Sequence, residues 1–400
     1  MGTTSTNINR RDWIRKSMLT AGGAMALPYI GLAERPKAPL TLDREGNAVY
    51  SPFFKEYLPK PDALFPELEA KLNANENPYG PSPMALEAFK SSASGGNRYA
   101  WRELFQLVDK IADFEGVESK NIMMGPGSSD LLEKTAMVFF MNGGNVVSAD
   151  PAYMSLIQVA ESVGASWKPV PLKEDWSHDL KAMEEAIDDD TKLVYICNPN
   201  NPTGSMTDHK ELVDFCSRVS ERVPVFVDEA YLWFLDEGAK KSMVSLVNEG
   251  KDVIIARTFS KIHGMAGLRV GYIVALEETL NRLQKITRGG MGISLPSVYA
   301  AMAAMDDAAF LEKSRNLNAE CREYVYQSLE KMGITSYVPS STSFIIFPIE
   351  MEGRAFLEQM TELKVGVRAF QFMDQNWCRV SMGTMDEMKT FTAALDKVLA

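Results

Sequence analysis

From about residue 70 onward, short apolar runs alternate with longer stretches in which apolar residues recur every three or four positions. Residues 121–124, 145–148, 192–197, 223–227, 253–257 and 271–275 have the length and β-branched content of buried strands, whereas 128–140, 208–221 and 277–287 carry helical spacing. Strand and helix in alternation predict an α/β fold with a mainly parallel sheet. No repeat or low-complexity tract interrupts the pattern. Five strands are closely followed by polar or glycine-rich clusters: Gly125-Pro126-Gly127-Ser128-Ser129-Asp130, Asp150-Pro151-Ala152-Tyr153, Asn198 to Gly204, Asp228-Glu229-Ala230-Tyr231 and Thr258-Phe259-Ser260-Lys261. In a parallel sheet the carboxyl ends of the strands share one edge, so these clusters converge on one crevice, where such folds bind ligands.

Composition narrows the classes. The 400 residues are 46% hydrophobic and 24% charged, which supports a packed core and excludes disorder, collagen and coiled coil. A net charge of −11 gives no electrostatic footprint for nucleic acid. The four cysteines, Cys197, Cys216, Cys321 and Cys378, are far apart and form no CxxC pair, so they read as free core thiols rather than a zinc or redox motif.

The N-terminus has a separate character. Arg10-Arg11-Asp12-Trp13-Ile14-Arg15-Lys16 precedes a mildly apolar, Ala/Gly-containing stretch, and Gly31 and Ala33 frame a cleavage position. The segment resembles a twin-arginine export signal, which implies passage through the Tat translocase and a periplasmic or exported protein; the alternative reading is a basic tail on a cytoplasmic protein. Its apolar run contains Pro28 and is too short and mild for a stable membrane anchor. The following segment, with Pro36, Pro39, Pro52, Pro59, Pro61 and Pro66, leaves no room for a helix-turn-helix domain.

The edge clusters carry recognisable chemistry. Gly127-Ser128-Ser129 opens a helix with free N–H groups, hydroxyls and the positive dipole end, which suits a phosphate; simple N-capping by Ser128 explains the same residues. Lys261 follows a strand end and Arg269 stands eight residues on, one an amine for a Schiff base and the other a phosphate clamp, although an isolated lysine is commonly just a solvated charge. Asp228 ends a buried apolar run and needs a partner, either a protonated pyridine nitrogen or an arginine. Tyr153 offers a stacking face or fills a core. Together these describe pyridoxal 5′-phosphate better than a nucleotide, and neither GxGxxG after the first strand nor GxxxxGK[ST] is present.

Leu72-Asn73-Ala74-Asn75-Glu76-Asn77-Pro78-Tyr79-Gly80-Pro81, Asn97-Arg98-Tyr99, Asn201-Pro202-Thr203-Gly204, Asp228-Glu229-Ala230-Tyr231 and Ser260-Lys261 through Gly267-Leu268-Arg269 resemble the class I/II, fold type I aminotransferases over roughly residues 70–385. Their wording is most similar to the histidinol-phosphate aminotransferase group. The expected organisation is the signal over 1–33, an arm and connecting segment over 34–75, a large cofactor domain over 76–290 and a small C-terminal α/β domain over 291–400. The resemblance implies Lys261 as the internal-aldimine lysine and proton shuttle, Asp228 on the pyridine nitrogen, and Tyr231 and Asn201 on the ring hydroxyl. Tyr153 then stacks on the ring, Ser128, Ser129, Thr258, Ser260 and Arg269 surround the phosphate, and Asp130 supports the helix start. Tyr99 reaches the phosphate of a neighbouring subunit, making the active unit a homodimer. Arg379 grips the substrate's α-carboxylate beside Asn201, and Arg368 resembles a second anion-binding arginine.

The implied activity is transamination from an amino acid, or an amine like one, to a 2-oxo acid. Phe53 stands where the histidinol-phosphate group often has a tyrosine, which together with the export signal counts against histidinol phosphate as substrate. Phe53, Phe370, Phe372 and Trp377 either line a pocket for a bulky side chain or pack a core. His263 is expected to approach the substrate, and His178 and His209 to lie on the surface at helix flanks. Because an exported enzyme meets few oxo acids, decarboxylation, elimination, racemisation or oxygen-dependent oxidation at the same cofactor is the alternative reading.

Overall fold

Seven strands form the central sheet, in the order Ile122–Gly125, Gly271–Val274, Val253–Thr258, Val225–Asp228, Thr191–Cys197, Asn145–Asp150 and Ser166–Pro171. The structure, a computed structural model, describes residues 41–59, 67–286 and 289–399, so the twin-arginine segment lies outside the described residues. Gly271–Val274 runs antiparallel to both its neighbours and every other described pairing in the sheet is parallel. The inner strands are buried along almost their whole length, Lys192 alone being partly exposed, which is why they read as continuous apolar runs. Ser166–Pro171 escapes that reading because it is an edge strand, half of its residues exposed, and holds two prolines that an inner strand would not tolerate.

Helices follow the strands as the spacing predicts, with small shifts at their ends. Ser128–Phe140 has the predicted bounds; His209–Val219 begins after Asp208, whose carboxylate caps it by accepting from the Glu211 N–H at 2.9 Å. Glu277–Gln284 stops short of 287. The four cysteines are buried and unpaired, as expected for core thiols.

A second sheet has six antiparallel strands, ordered Thr41–Leu42, Ala48–Ser51, Phe54–Tyr57, Arg368–Phe372, Gln375–Ser381 and Phe344–Ile349. Half of it therefore comes from the stretch expected to be an arm, paired with strands some 300 positions later. Alternation sorts its two faces. Ile345, Phe347, Ala369, Cys378 and Val380 pack on Val325, Phe356 and Phe391 from the helices Ala308–Lys331, Gly353–Glu362 and Met385–Leu399. Phe54, Ile346, Phe370, Phe372 and Trp377 face the other way and share a core with the central sheet.

Candidate active site

All five polar clusters sit at the carboxyl edge of the central sheet. The antiparallel strand starts there too, which delivers Arg269, two residues before Gly271, to the same place. Gly127, with φ +89°, is the N-cap residue of Ser128–Phe140, and no side chain caps that helix. Ser128 is thus the first helical residue, its N-cap explanation falls, and the helix start is left free to hold an anion. Two glycines make the approach close: a Cβ on Gly127 would overlap the Arg269 guanidinium, and one on Gly271 would overlap the Ser128 nitrogen. Arg269 donates to Ser260 Oγ at 3.4 Å and to the carbonyls of Ala266 at 3.0 Å and Pro126 at 3.3 Å, so its hydrogen bonds go to neutral oxygens. Ser129 Oγ lies 3.4 Å from the Tyr153 hydroxyl, and Thr258 Oγ1 shapes the turn by accepting from Ser260 N at 3.0 Å. A free helix start, a guanidinium and several hydroxyls fit a phosphate group.

The other end of the crevice holds the carboxylate and the amine. Asp228 is 3% exposed; it accepts from Ala230 N at 3.1 Å and weakly from the Tyr195 hydroxyl at 3.5 Å, with no ion pair among the described residues. Burial pushes its carboxyl up to about 6. A buried carboxylate short of a cation fits a protonated ring nitrogen. Lys261 Nζ donates to the Asn75 carbonyl at 3.3 Å, and burial, with Arg379 adding to it against Tyr153 and Asp228, lowers its pKa. The Tyr231 hydroxyl accepts from Asn75 Nδ2 at 3.0 Å, and burial raises its pKa.

Arg379 Nη1 donates to Asn201 Oδ1 at 2.6 Å, while its buried Nε has no partner. Its guanidinium lies 5.2 Å from the Phe344 ring centre and 5.3 Å from that of Phe370. Burial first, then the charge of Arg368, lowers its pKa to about 10. Such a cation, desolvated and with a free N–H, is suited to a carboxylate.

Asn75 is the residue whose role the motif reading missed. It adopts φ +51°, exchanges hydrogen bonds with Ser381 through its N–H at 2.9 Å and its Oδ1 at 2.7 Å, and bridges Lys261 to Tyr231. An asparagine three residues before Pro78-Tyr79-Gly80 was the available clue, since asparagine tolerates left-handed backbone best after glycine.

The remaining expected residues have their own surroundings. Tyr99 is 76% exposed beside Trp101, with no hydrogen bond to this cluster. Arg368 pairs with Glu56, and Asp130 with Lys134 at 2.6 Å. Phe53 is 66% exposed; its neighbour Phe54 takes the inward position with Phe370 and Phe372, because a turn at 52–53 reverses the chain just before it. His178 is a core residue, its Nδ1 2.6 Å from Thr207 Oγ1, so the surface reading fails there. His263 is buried on the Phe259 ring, and burial lowers its pKa to about 4.

Residues 69–395 match the family described as aminotransferase class I and II. The chain is 36% identical over 332 residues to a histidinol-phosphate aminotransferase of Moorella thermoacetica, covering 82% of this chain and 85% of that protein. It is 36% identical over 337 residues to another from Akkermansia muciniphila, covering 84% and 92%. Among solved structures, the histidinol-phosphate aminotransferase of Sinorhizobium meliloti in complex with pyridoxal-5′-phosphate superposes with a TM-score of 0.78 at 28% identity, covering 83% of this chain and 91% of that one.

Proposed function

Starting from the premise that the chain belongs to the aminotransferase class I and II family, close to the histidinol-phosphate aminotransferases, and is a pyridoxal-phosphate-dependent enzyme transferring an amino group from an amino-acid-like donor to a 2-oxo acid, we propose how its residues divide that work. When bound, the cofactor supplies a carbon that bonds the amine and a ring that takes up the electron pair left at Cα. Ser128, Ser129, Thr258, Ser260 and Arg269 hold its phosphate at the free helix start. Tyr153 stacks on the ring, Tyr231 and Asn201 orient the ring hydroxyl, and Asp228 keeps the ring nitrogen protonated. Lys261, with its pKa lowered by burial, which favours the neutral amine, and with Asn75 as its anchor, moves the proton at Cα. Arg379 receives the α-carboxylate on its free Nε face while Asn201 fixes its other end.

The observation that carries this division is the pairing of an unneutralised buried Asp228 with an uncapped helix start along one sheet edge. The test is an anaerobic absorption titration of the purified holoenzyme with a panel of α-amino acids. Conversion of the Lys261-bound cofactor band to an amine-form band, reversed by a 2-oxo acid, is the expected result, and the Lys261→Ala variant should fold yet do neither. A Lys261→Ala protein that still converts the band overturns the assignment. The active unit on this reading is a homodimer in which Tyr99 completes a neighbour's phosphate site, and its surface exposure supports that role. The Arg10-Arg11 segment supports export through the Tat translocase to the periplasm, with no lasting membrane anchor. Lysine at both arginines should retain the protein in the cytoplasm.

A further inference from the structure

Arg368 and Arg379 stand directly opposite each other on neighbouring strands, so their side chains leave the same face of the sheet, with Cβ atoms roughly 5 Å apart. Both guanidinium groups approach the ring of Phe370, Arg368 at 5.9 Å and Arg379 at 5.3 Å. A substrate held through its α-carboxylate on Arg379 therefore has Arg368 within reach of its side chain. Left alone, Arg368 would draw a second anion. It is not left alone: Glu56, opposite Phe370 on the next strand and on that same face, accepts from Arg368 Nη2 on one oxygen and from the Tyr50 hydroxyl at 2.7 Å on the other.

The two members of the pair differ in access. The Glu56 side chain is 6% exposed and the Arg368 side chain 38% exposed. Glu56 is buried and held by Arg368 and the Tyr50 hydroxyl, so an anionic substrate that took Arg368 would strand a buried carboxylate beside a second negative charge. The walls around the pair are aromatic, with the Tyr50 and Phe54 ring centres 4.9 Å apart and those of Phe54 and Phe370 6.0 Å apart. Glu56 also lies before residue 69, where the family match begins, whereas Arg368 lies inside it. The counter-charge is thus delivered by the hairpin over 48–57 that joins the second sheet.

We infer that Glu56 cancels Arg368 and makes the side-chain subsite select amino acids with large uncharged side chains, aromatic ones foremost, over those ending in a carboxylate or phosphate. This rests on Arg379 as the α-carboxylate site. Glu56 acts through Arg368 and is a specificity determinant, not a catalytic residue.

The test compares single-turnover kcat/KM of the holoenzyme for L-phenylalanine, L-glutamine and L-glutamate, the last two alike in size and different in charge. Calorimetric binding of unreactive 3-phenylpropionate and glutarate adds a readout independent of turnover. The wild-type enzyme should favour phenylalanine over glutamate by about a hundredfold and bind 3-phenylpropionate more tightly than glutarate. Glu56→Gln should shrink the phenylalanine-to-glutamate ratio at least about tenfold by raising the glutamate value, and Glu56→Gln combined with Arg368→Gln should cancel that gain. A ratio within one preparation is unaffected by a loss of folded enzyme. Should Glu56→Gln fail to fold, the wild-type measurements still decide: glutamate used as well as phenylalanine, or glutarate bound as well as 3-phenylpropionate, overturns the inference. Phenylalanine turnover with an unchanged ratio in Glu56→Gln overturns the inference alone. Turnover of no amino acid at all overturns the proposed function and this inference with it.

Discussion

Arg257 gives the sharpest check on how the fold supports its site. It lies in Val253–Thr258 beside the Asp228 strand, and its side chain is 1% exposed. Its guanidinium meets Glu229 at 3.1 Å and Glu115 at 3.4 Å, donates to Ser242 Oγ at 2.9 Å and lies 4.8 Å from the Trp233 ring centre. Both carboxylates are nearly inaccessible, at 2% and 6%. Replacing Arg257 with Met leaves two buried acids with no cation, for which breaking a buried pair typically costs about 3–5 kcal/mol. Glu229 keeps the Met243 N–H at 2.8 Å and Ser242 Oγ at 3.0 Å, and Glu115 keeps the Tyr272 hydroxyl at 2.5 Å, so the lower end, about 3 kcal/mol, is expected. Burial already holds Glu229 above the ordinary carboxylate value even with Arg257 present. A carboxylate raised in the folded state binds its proton more tightly there, so its contribution is full at low pH and lost as pH rises through the folded value. Removing the cation raises that value further, so the gap between variant and wild type should widen from pH 5 to pH 8. Urea unfolding followed by circular dichroism at both pH values reads the gap. Adding Glu229→Gln to Arg257→Met should restore at least about 1 kcal/mol by removing one orphaned charge. A gap under about 1 kcal/mol, or one that does not change with pH, would refute this account of the network.

Two further outcomes follow from the site itself. Gly271→Ala places a methyl against the Ser128 nitrogen, so it should displace the helix start and weaken equilibrium binding of pyridoxal phosphate at least about tenfold while the strand persists; unchanged affinity would remove the helix start from the phosphate seat. Asp228, held at about 6 by burial, contributes full stability to the cofactor-free chain at low pH and loses it as pH rises through 6, so Asp228→Asn should flatten that decline in thermal melts between pH 5 and 7 and slow transamination at least about a hundredfold.

How much of this was legible in the sequence depends on the range of the interaction. The carboxyl-edge clusters were legible because each belongs to a strand whose burial imposes a local apolar run, and parallel order then brings Ser128, Tyr153, Asn201, Asp228 and Lys261 together without any pairwise knowledge. Even Arg269 fits, though its strand is antiparallel, because such a strand starts at the edge where its neighbours end. Asn75 was visible only as part of the Leu72–Pro81 motif, because its bonds to Lys261, Tyr231 and Ser381 span 156 to 306 positions and leave no periodic trace.

The hairpin over 48–57 marks the limit of that kind of reading. Its two strands are four residues each, split by a turn that throws Phe53 outward and Phe54 inward, too short for alternation to announce them. Their register is set by Arg368–Phe372, a partner whose own alternation carries no hint of what will pair with it. Arg368 read as an anion site because a cation at that place in a motif attracts anions; whether it remains free to do so depends on Glu56, more than 300 positions away. Side chains that bind a cofactor are delivered by local elements on a shared edge, whereas the charge that a substrate's side chain meets is the sum over strands brought together by tertiary pairing. Family and chemistry can therefore be written in motifs, while the choice among substrates sits in the counter-ion that a distant hairpin supplies.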